Sequence, residues 1–314
     1  MSDESNRILP IAQLSAAVRP GGGTKRVRNR VGEWIFERGL QLAAMTSIIA
    51  VAVITIFVFA SGAPLISKVG LRNFLFNSDW LPMQGEFGIL PMIVGSVVVT
   101  AGALLLALPV GIGGAIFLAE FAPRRIASVL RPTIQLLAGI PSVVYGFWGL
   151  VVLVPILRGI FGGSGFSAAA GSIILAIMIL PTLVNISEDA LRSVPGEYRE
   201  GSMALGATHW QTVKHMLVPS ARRGIITATA LGMGRAIGET MAVIMVTGNV
   251  PVIPNSFLSP VRTMTGNVVI EIGYAHGDHR GALFATGAVL FVFIMLLNIL
   301  INVRPGRSRG GSKV

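Results

Sequence analysis

The sequence predicts an all-α, polytopic membrane protein with six transmembrane helices, and three observations carry that expectation. Of 314 residues, 53% are hydrophobic and only 12% are charged, about half the charge of an ordinary soluble domain. The mean hydropathy is +0.73. The apolar residues are gathered in runs of about twenty or more, the length a helix needs to cross a hydrocarbon core of about 30 Å. Together these exclude a soluble enzyme and a disordered chain. The chain has no cysteine, which removes a disulfide framework, a thiolate metal site and a cysteine nucleophile.

Taken in order, residues 39–67 hold no charge, and their apolar centre, 40–60, makes the first span. Residues 87–119 are uncharged and long enough for a span plus a tilted or re-entrant extension around Pro91 and Pro109. Residues 132–157 give a third span, interrupted by Gly139-Ile140-Pro141, and 166–187 a fourth, with Pro181 near its end. Residues 224–247 read as a fifth although they contain Arg235 and Glu239, and 281–303 as a sixth. Pro and Gly within such runs are tolerated because neighbouring helices satisfy the freed backbone groups. The membrane domain is thus expected over 39–303, between a basic flexible tail at 1–38 and a second basic tail at 304–314.

The 25 Lys and Arg against 14 Asp and Glu give a net charge of +11. The basic residues are scattered over short loops, which argues against a nucleic-acid surface. Nineteen of the 25 fall in the two tails and in 120–131 and 188–223, five fall in the alternate loops, and Arg235 lies within a span. The positive-inside rule then places both termini in the cytoplasm, and an odd number of spans would break the alternation.

The longest connection on the basic side, 188–223, carries its own helix signals. Pro195 and Glu197 suit a first turn and Gly206 a C-terminal stop. Thr208 with Gln211 forms a capping box for a second short helix ending before Pro219. Two short helices with a glycine hinge suit either a docking element for a cytoplasmic partner or a pair lying at the membrane surface.

Within the fifth span, Arg235 sits near the bilayer midplane, where a charge costs about 2.5–3.5 kcal/mol. Glu239, four residues on, is expected on the same helix face within reach of the guanidinium. Gly232, Gly234, Ala236 and Gly238 around them permit close helix approach. Such a pair either fixes helix register or serves transport. In the second case a permanently charged, forked donor suits an oxyanion, with Glu239 displaced or protonated when the anion arrives.

Two sets of motifs carry a resemblance. The loop pattern Glu200-Gly201-Ser202, then Met203-Ala204-Leu205-Gly206, nine residues, and Met216-Leu217-Val218-Pro219 is similar to the coupling-loop signature of permease subunits of ATP-binding-cassette importers, Glu, Gly and Pro falling at its spacing. The alanines of that signature are here Gly201 and Ser202, and its Ile and Leu are Met216 and Val218. The runs Gly232-Met-Gly-Arg235-Ala-Ile-Gly-Glu239-Thr240-Met-Ala-Val, Leu137-Ala-Gly-Ile-Pro141-Ser-Val-Val-Tyr145-Gly-Phe-Trp148 and Phe117-Leu-Ala-Glu120-Phe-Ala-Pro123 resemble phosphate-uptake permeases, of the PstC type rather than the PstA type.

The resemblance implies the binding-protein-dependent importer permease fold and a core at about 87–303. It implies a substrate path along Arg235, Glu239 and Thr240, and a loop at Glu200, Gly201, Ser202, Ala204, Gly206 and Pro219 that seats on an ATPase. The partners it implies are a PstA-like second permease, an ATPase dimer, an external phosphate-binding protein, phosphate and membrane lipid. Sulfate or molybdate import, or a stand-alone secondary anion transporter, are the competing expectations. No Gly-x-x-x-x-Gly-Lys-Ser/Thr loop occurs, so ATP is expected to be hydrolysed by another chain, with no cofactor and no catalysis here. His276 and His279, flanking Asp278, are read as a solvated turn rather than a metal site.

Overall fold

The computed structural model describes residues 30–302. Most of the N-terminal tail (1–29) and the C-terminal residues 303–314 lie outside the described residues. The chain divides into two units, 1–54 and 55–314. The described part of the first is a single helical stretch, the beginning of α1 (Arg30–Val69), whose described side chains through Ile54 are all exposed.

The second unit is built on two long helices, α3 (Leu90–Ile116) and α7 (Ala168–Arg192). Small residues let them touch along their length. A Cβ added at Gly102 would stand 2.4 Å from the Ser172 hydroxyl, and one at Gly111 would stand 2.9 Å from Leu183 Cβ. Ser172 donates to the Val99 carbonyl at 3.1 Å and to the Ala168 carbonyl within its own helix. The resulting core holds Val99, Ala103, Ala107, Ile174, Leu175, Met178, Ile179 and Leu183. Without a hydrophobic drive between helices in lipid, such close approach and interhelical hydrogen bonding are what hold a bundle together.

Around this pair stand α2 (Leu71–Phe76), α4 (Arg124–Gly139), α5 (Ser142–Trp148) and α6 (Val154–Phe161). After α7 come α8 (Gly196–Ala204), α9 (His209–Thr212) and α10 (Val218–Ser220), then α11 (Arg222–Gly238), α12 (Met241–Val246), α13 (Met264–Glu271) and α14 (Gly277–Asn302). The last turns of α1 pack on α14, where a Cβ at Gly62 would lie 2.7 Å from Ala285 Cα. A two-stranded antiparallel hairpin, β1 (Trp80–Leu81) and β2 (Glu86–Phe87), pairs Trp80 with Phe87 and Leu81 with Glu86. Three π-turns interrupt the helices: Phe117–Phe121 continues α3, Gly149–Leu153 joins α5 to α6, and Val213–Leu217 joins α9 to α10.

Among the described residues, five helical stretches are long and apolar enough to cross a membrane: Phe36–Val69, Leu90–Phe121, Ser142–Phe161, Ala168–Arg192 and Gly277–Ile299. They correspond to five of the six expected spans. The third begins at Ser142 rather than at 132, because Pro141 ends the amphipathic helix α4 and starts a new one. The remaining segment, 224–247, is helical but broken at Glu239 and Thr240.

Candidate functional site

The break between α11 and α12 decides how the intramembrane charges sit. The run Gly232, Gly234 and Gly238 supplies weak helix formers, and Glu239 leaves the helix with φ −70° and ψ 134°. Its carbonyl accepts from Thr265 Oγ1 at 3.1 Å, and its carboxylate accepts from the Ala242 amide at 3.2 Å, at the start of α12. Thr240 Oγ1 donates to the Gly238 carbonyl at 3.3 Å. The far side of the break is pinned by α5: a Cβ at Gly146 would stand 2.8 Å from Ala242 Cα.

The expected Arg235–Glu239 pair therefore does not form. The i, i+4 relationship requires continuous helix, and Glu239 is extended and engaged with α12. Gly232 packs on Leu183 and Ile179, the middle turns of α7, so Arg235, one turn beyond, lies near half height. Its side chain is exposed on the surface of this chain rather than enclosed by it. Among the described residues its guanidinium has no ion pair and lies within electrostatic reach of Tyr145, whose hydroxyl donates to the Leu137 carbonyl at 2.8 Å. Glu239 and Thr240 are half-buried beside it.

The 188–223 segment folds largely as its signals dictate. α8 ends in a Schellman motif, with the Gly206 amide on Met203 O, the Ala207 amide on Ser202 O and Gly206 at φ +87°. Both arms of the Thr208–Gln211 capping box are present. The second helix does not stop before Pro219. The π-turn carries it onward, and Pro219 sits within the short continuation α10. Glu200, Gly201, Ala204 and Gly206 are exposed, while Ser202 is half-buried and bonded to Thr212. Leu205 is 91% exposed at the rim of a groove of about 550 Å³ lined by Tyr198, Gly201, Ser202 and Met216.

Among the described residues, three charge clusters built on buried carboxylates escaped the sequence reading. At the arginine-rich end, Glu120 has a side chain only 3% exposed and is paired with Arg199 of α8. Nearby, Glu188 accepts from both Arg131 Nε and Arg192 Nε at 2.8 Å. At the opposite end Arg262 binds Glu271 Oε1, Asn267 Oδ1 and the Asn249 carbonyl. Glu271 also takes the Trp80 indole N–H at 2.9 Å and His279 Nε2 at 2.7 Å. His279 thus turns inward instead of lying in a solvated turn, while His276 and Asp278 stay exposed and Asp278 pairs with Lys68. Burial, and then the Glu271 carboxylate, push the neighbouring Tyr274 phenol above its ordinary pKa, with Arg262 opposing. The signal available was the presence of acidic residues at span ends, where an unpaired carboxylate would be costly.

Residues 111–304 match the family of binding-protein-dependent transport system inner membrane components. A probable ABC transporter permease protein, YqgH, of Bacillus subtilis is 44% identical over 85% of this chain and 88% of its own length. The phosphate transport system permease protein PstC of Mesorhizobium japonicum is 35% identical over 91% and 94%, and that of Haemophilus influenzae 34% over 88% and 95%. Among solved structures, a bacterial ABC transporter involved in import of the acidic polysaccharide alginate aligns with TM-score 0.57 at 15% identity, over 90% of this chain and all of that one. The MetNI methionine ABC transporter aligns with TM-score 0.53 at 19% identity, over 72% and 97%, and at such identities the likeness speaks for the fold alone. The apolar helices, the broken segment and these matches lead to one assignment: the chain is a multi-pass membrane protein of the family of binding-protein-dependent transport system inner membrane components.

Proposed function

We propose that this chain is the PstC-type permease subunit of an ATP-driven importer of inorganic phosphate, working by alternating access. The observation that carries the reading is Arg235, a permanent cation at half height of the bundle, on a face open to another chain and free of any carboxylate partner among the described residues. Holding such a charge in a membrane is costly, and an oxyanion passing between two permease chains is a partner that offsets the cost. PstC proteins related over about nine-tenths of the chain support phosphate as that anion.

The remaining parts follow from this reading. Both termini and the Glu200–Pro219 pattern face the cytoplasm, in keeping with the charge asymmetry. There the exposed Glu200, Gly201, Ala204 and Gly206, with Leu205, seat on an ATPase dimer. A PstA-like chain covers the Arg235 face, and an external phosphate-binding protein delivers the cargo. An anion entering a cell that is negative inside climbs about 2.3 kcal/mol per charge per 100 mV, so hydrolysis on the partner supplies the direction. Arg235, Glu239 and Thr240 form the path: the cation receives the anion while Glu239 stays engaged with α12.

The deciding experiment is ATP-dependent phosphate uptake by the reconstituted assembly, wild type against Arg235→Gln. Loss of uptake with the assembly intact is expected; normal uptake would make Arg235 structural. Competition by sulfate or molybdate at equal concentration would redirect the substrate assignment, and uptake by the chain alone without ATP would redirect the class.

A further inference from the structure

The turn Phe117–Phe121 is where α3 meets the 196–220 segment, and its backbone explains why. The Ala122 amide closes the π-turn on the Phe117 carbonyl at 2.7 Å. The next carbonyl, Leu118 O, would take its hydrogen bond from residue 123 in the same register, but residue 123 is proline and has no N–H. Leu118 O is instead capped by two guanidinium groups, Arg131 Nη2 at 3.3 Å and Arg192 Nη2 at 3.1 Å. The Glu120 carbonyl, equally without a helical donor, meets His209 Nε2 of α9 at 3.2 Å. The Phe121 ring packs against His209 edge to face, with centroids 4.9 Å apart, and beside Trp210.

The Glu120 carboxylate completes the set. It receives Arg199 Nη2 at 2.5 Å and Nε at 3.2 Å, a two-pronged contact with α8, one residue before Glu200. A forked guanidinium–carboxylate pair, its carboxylate buried, fixes orientation as well as distance. One turn of α3 is therefore gripped by α8 through Arg199 and by α9 through His209 and Trp210.

We propose that Glu120 and Arg199 are positioning residues that make the cytoplasmic end of α3 move with α8, converting displacement of the loop by the ATPase into displacement of a membrane helix. The inference rests on the importer reading above and deepens it. α3 shares its whole length with α7, on which α11 and Arg235 are carried, so motion entering at Glu120 reaches the transport path through packed helices.

The test uses the full assembly of both permeases, ATPase and binding protein in vesicles, with Glu120→Gln, Arg199→Gln and Arg199→Lys. For the two Gln variants the ATPase is expected to co-purify at wild-type stoichiometry and hydrolyse ATP, while phosphate moved per ATP falls at least tenfold. Arg199→Lys, which keeps the charge but not the fork, is expected to recover only part of that ratio. A second readout needs no cargo: hydrogen exchange on adding a non-hydrolysable ATP analogue. In wild type both 117–122 and 196–212 are expected to change protection, and in Glu120→Gln only 196–212. Concerted change of both segments in Glu120→Gln, an unchanged phosphate-to-ATP ratio, or loss of the ATPase from the complex would each overturn the proposal. If wild-type vesicles move no phosphate yet exchange still uncouples in Glu120→Gln, the joint stands and the phosphate reading fails.

Discussion

Arg262 and Glu271 form an ion pair of 2.5 Å between side chains 13% and 8% exposed, and the same carboxylate gathers Trp80 from the hairpin and His279 from α14. One acidic group thus ties together the hairpin, the 247–263 connection, α13 and α14. Removing one member of a buried pair strands the other charge at a cost of about 3–5 kcal/mol. Glu271→Ala is therefore expected to lower the thermal midpoint of the detergent-solubilised protein sharply. Arg262→Met combined with Glu271→Leu should lower it less, because no charge is left unpaired. Equal loss in the two variants would show that the site is held by packing alone.

The broken helix yields a second test. Were Arg235 and Glu239 an i, i+4 ion pair, exchanging them would keep the pair and much of the activity. In the observed geometry Glu239 accepts from the Ala242 amide, a bond no arginine can replace, and Arg235 stands alone on an exposed face. Arg235→Glu with Glu239→Arg should therefore show no recovery of phosphate uptake over either single change. Substantial recovery would restore the simple pair.

Gly146 offers a packing test close to the path. An added Cβ meets Ala242 Cα at 2.8 Å and Met245 Sδ at 2.9 Å, and the backbone on that side cannot yield without shifting α12. Gly146→Ala is expected to destabilise by about 1–3 kcal/mol and to depress uptake. Gly139→Ala, where nothing lies within 4 Å, should be nearly silent. Thermal unfolding and uptake of the two variants, side by side, check this.

Gly206 stands at φ +87° with open space around the missing Cβ, so its substitution is a backbone problem only. Gly206→Ala should cost about 1–2 kcal/mol locally, and Gly206→Asn less. The measurement is ATPase retained on the purified complex: retention should fall in the order Gly, Asn, Ala, and a flat series would free the Schellman turn of any part in docking.

Much of this fold could be read from hydropathy because long uncharged runs leave lipid as the natural solvent: four of the expected spans recur within a few residues, and the third recurs with its start moved from 132 to Ser142. The capping box at Thr208 and Gln211 and the glycine stop at Gly206 were equally legible, since both depend on a few adjacent residues. The break at Glu239 was not, because weak helix formers such as Gly234 and Gly238 allow a break without fixing its place, and the decisive partner, Thr265, lies 26 positions away. The same holds for Glu120 with Arg199 and for Glu188 with Arg131: each carboxylate finds its cation through tertiary proximity that no periodicity encodes.

The π-turns at Phe117–Phe121, Gly149–Leu153 and Val213–Leu217 each hold one residue more than an α-helix of the same rise. Excising a residue from the middle one would rejoin α5 and α6 as uninterrupted α-helix with its downstream faces kept in phase, whereas excising one from the α-helical turns beside it would swivel everything downstream by about 100°, carrying the buried Val154 and Leu157 off their present face. In these three places the bundle can absorb the loss of a residue that the α-helical turns on either side could not.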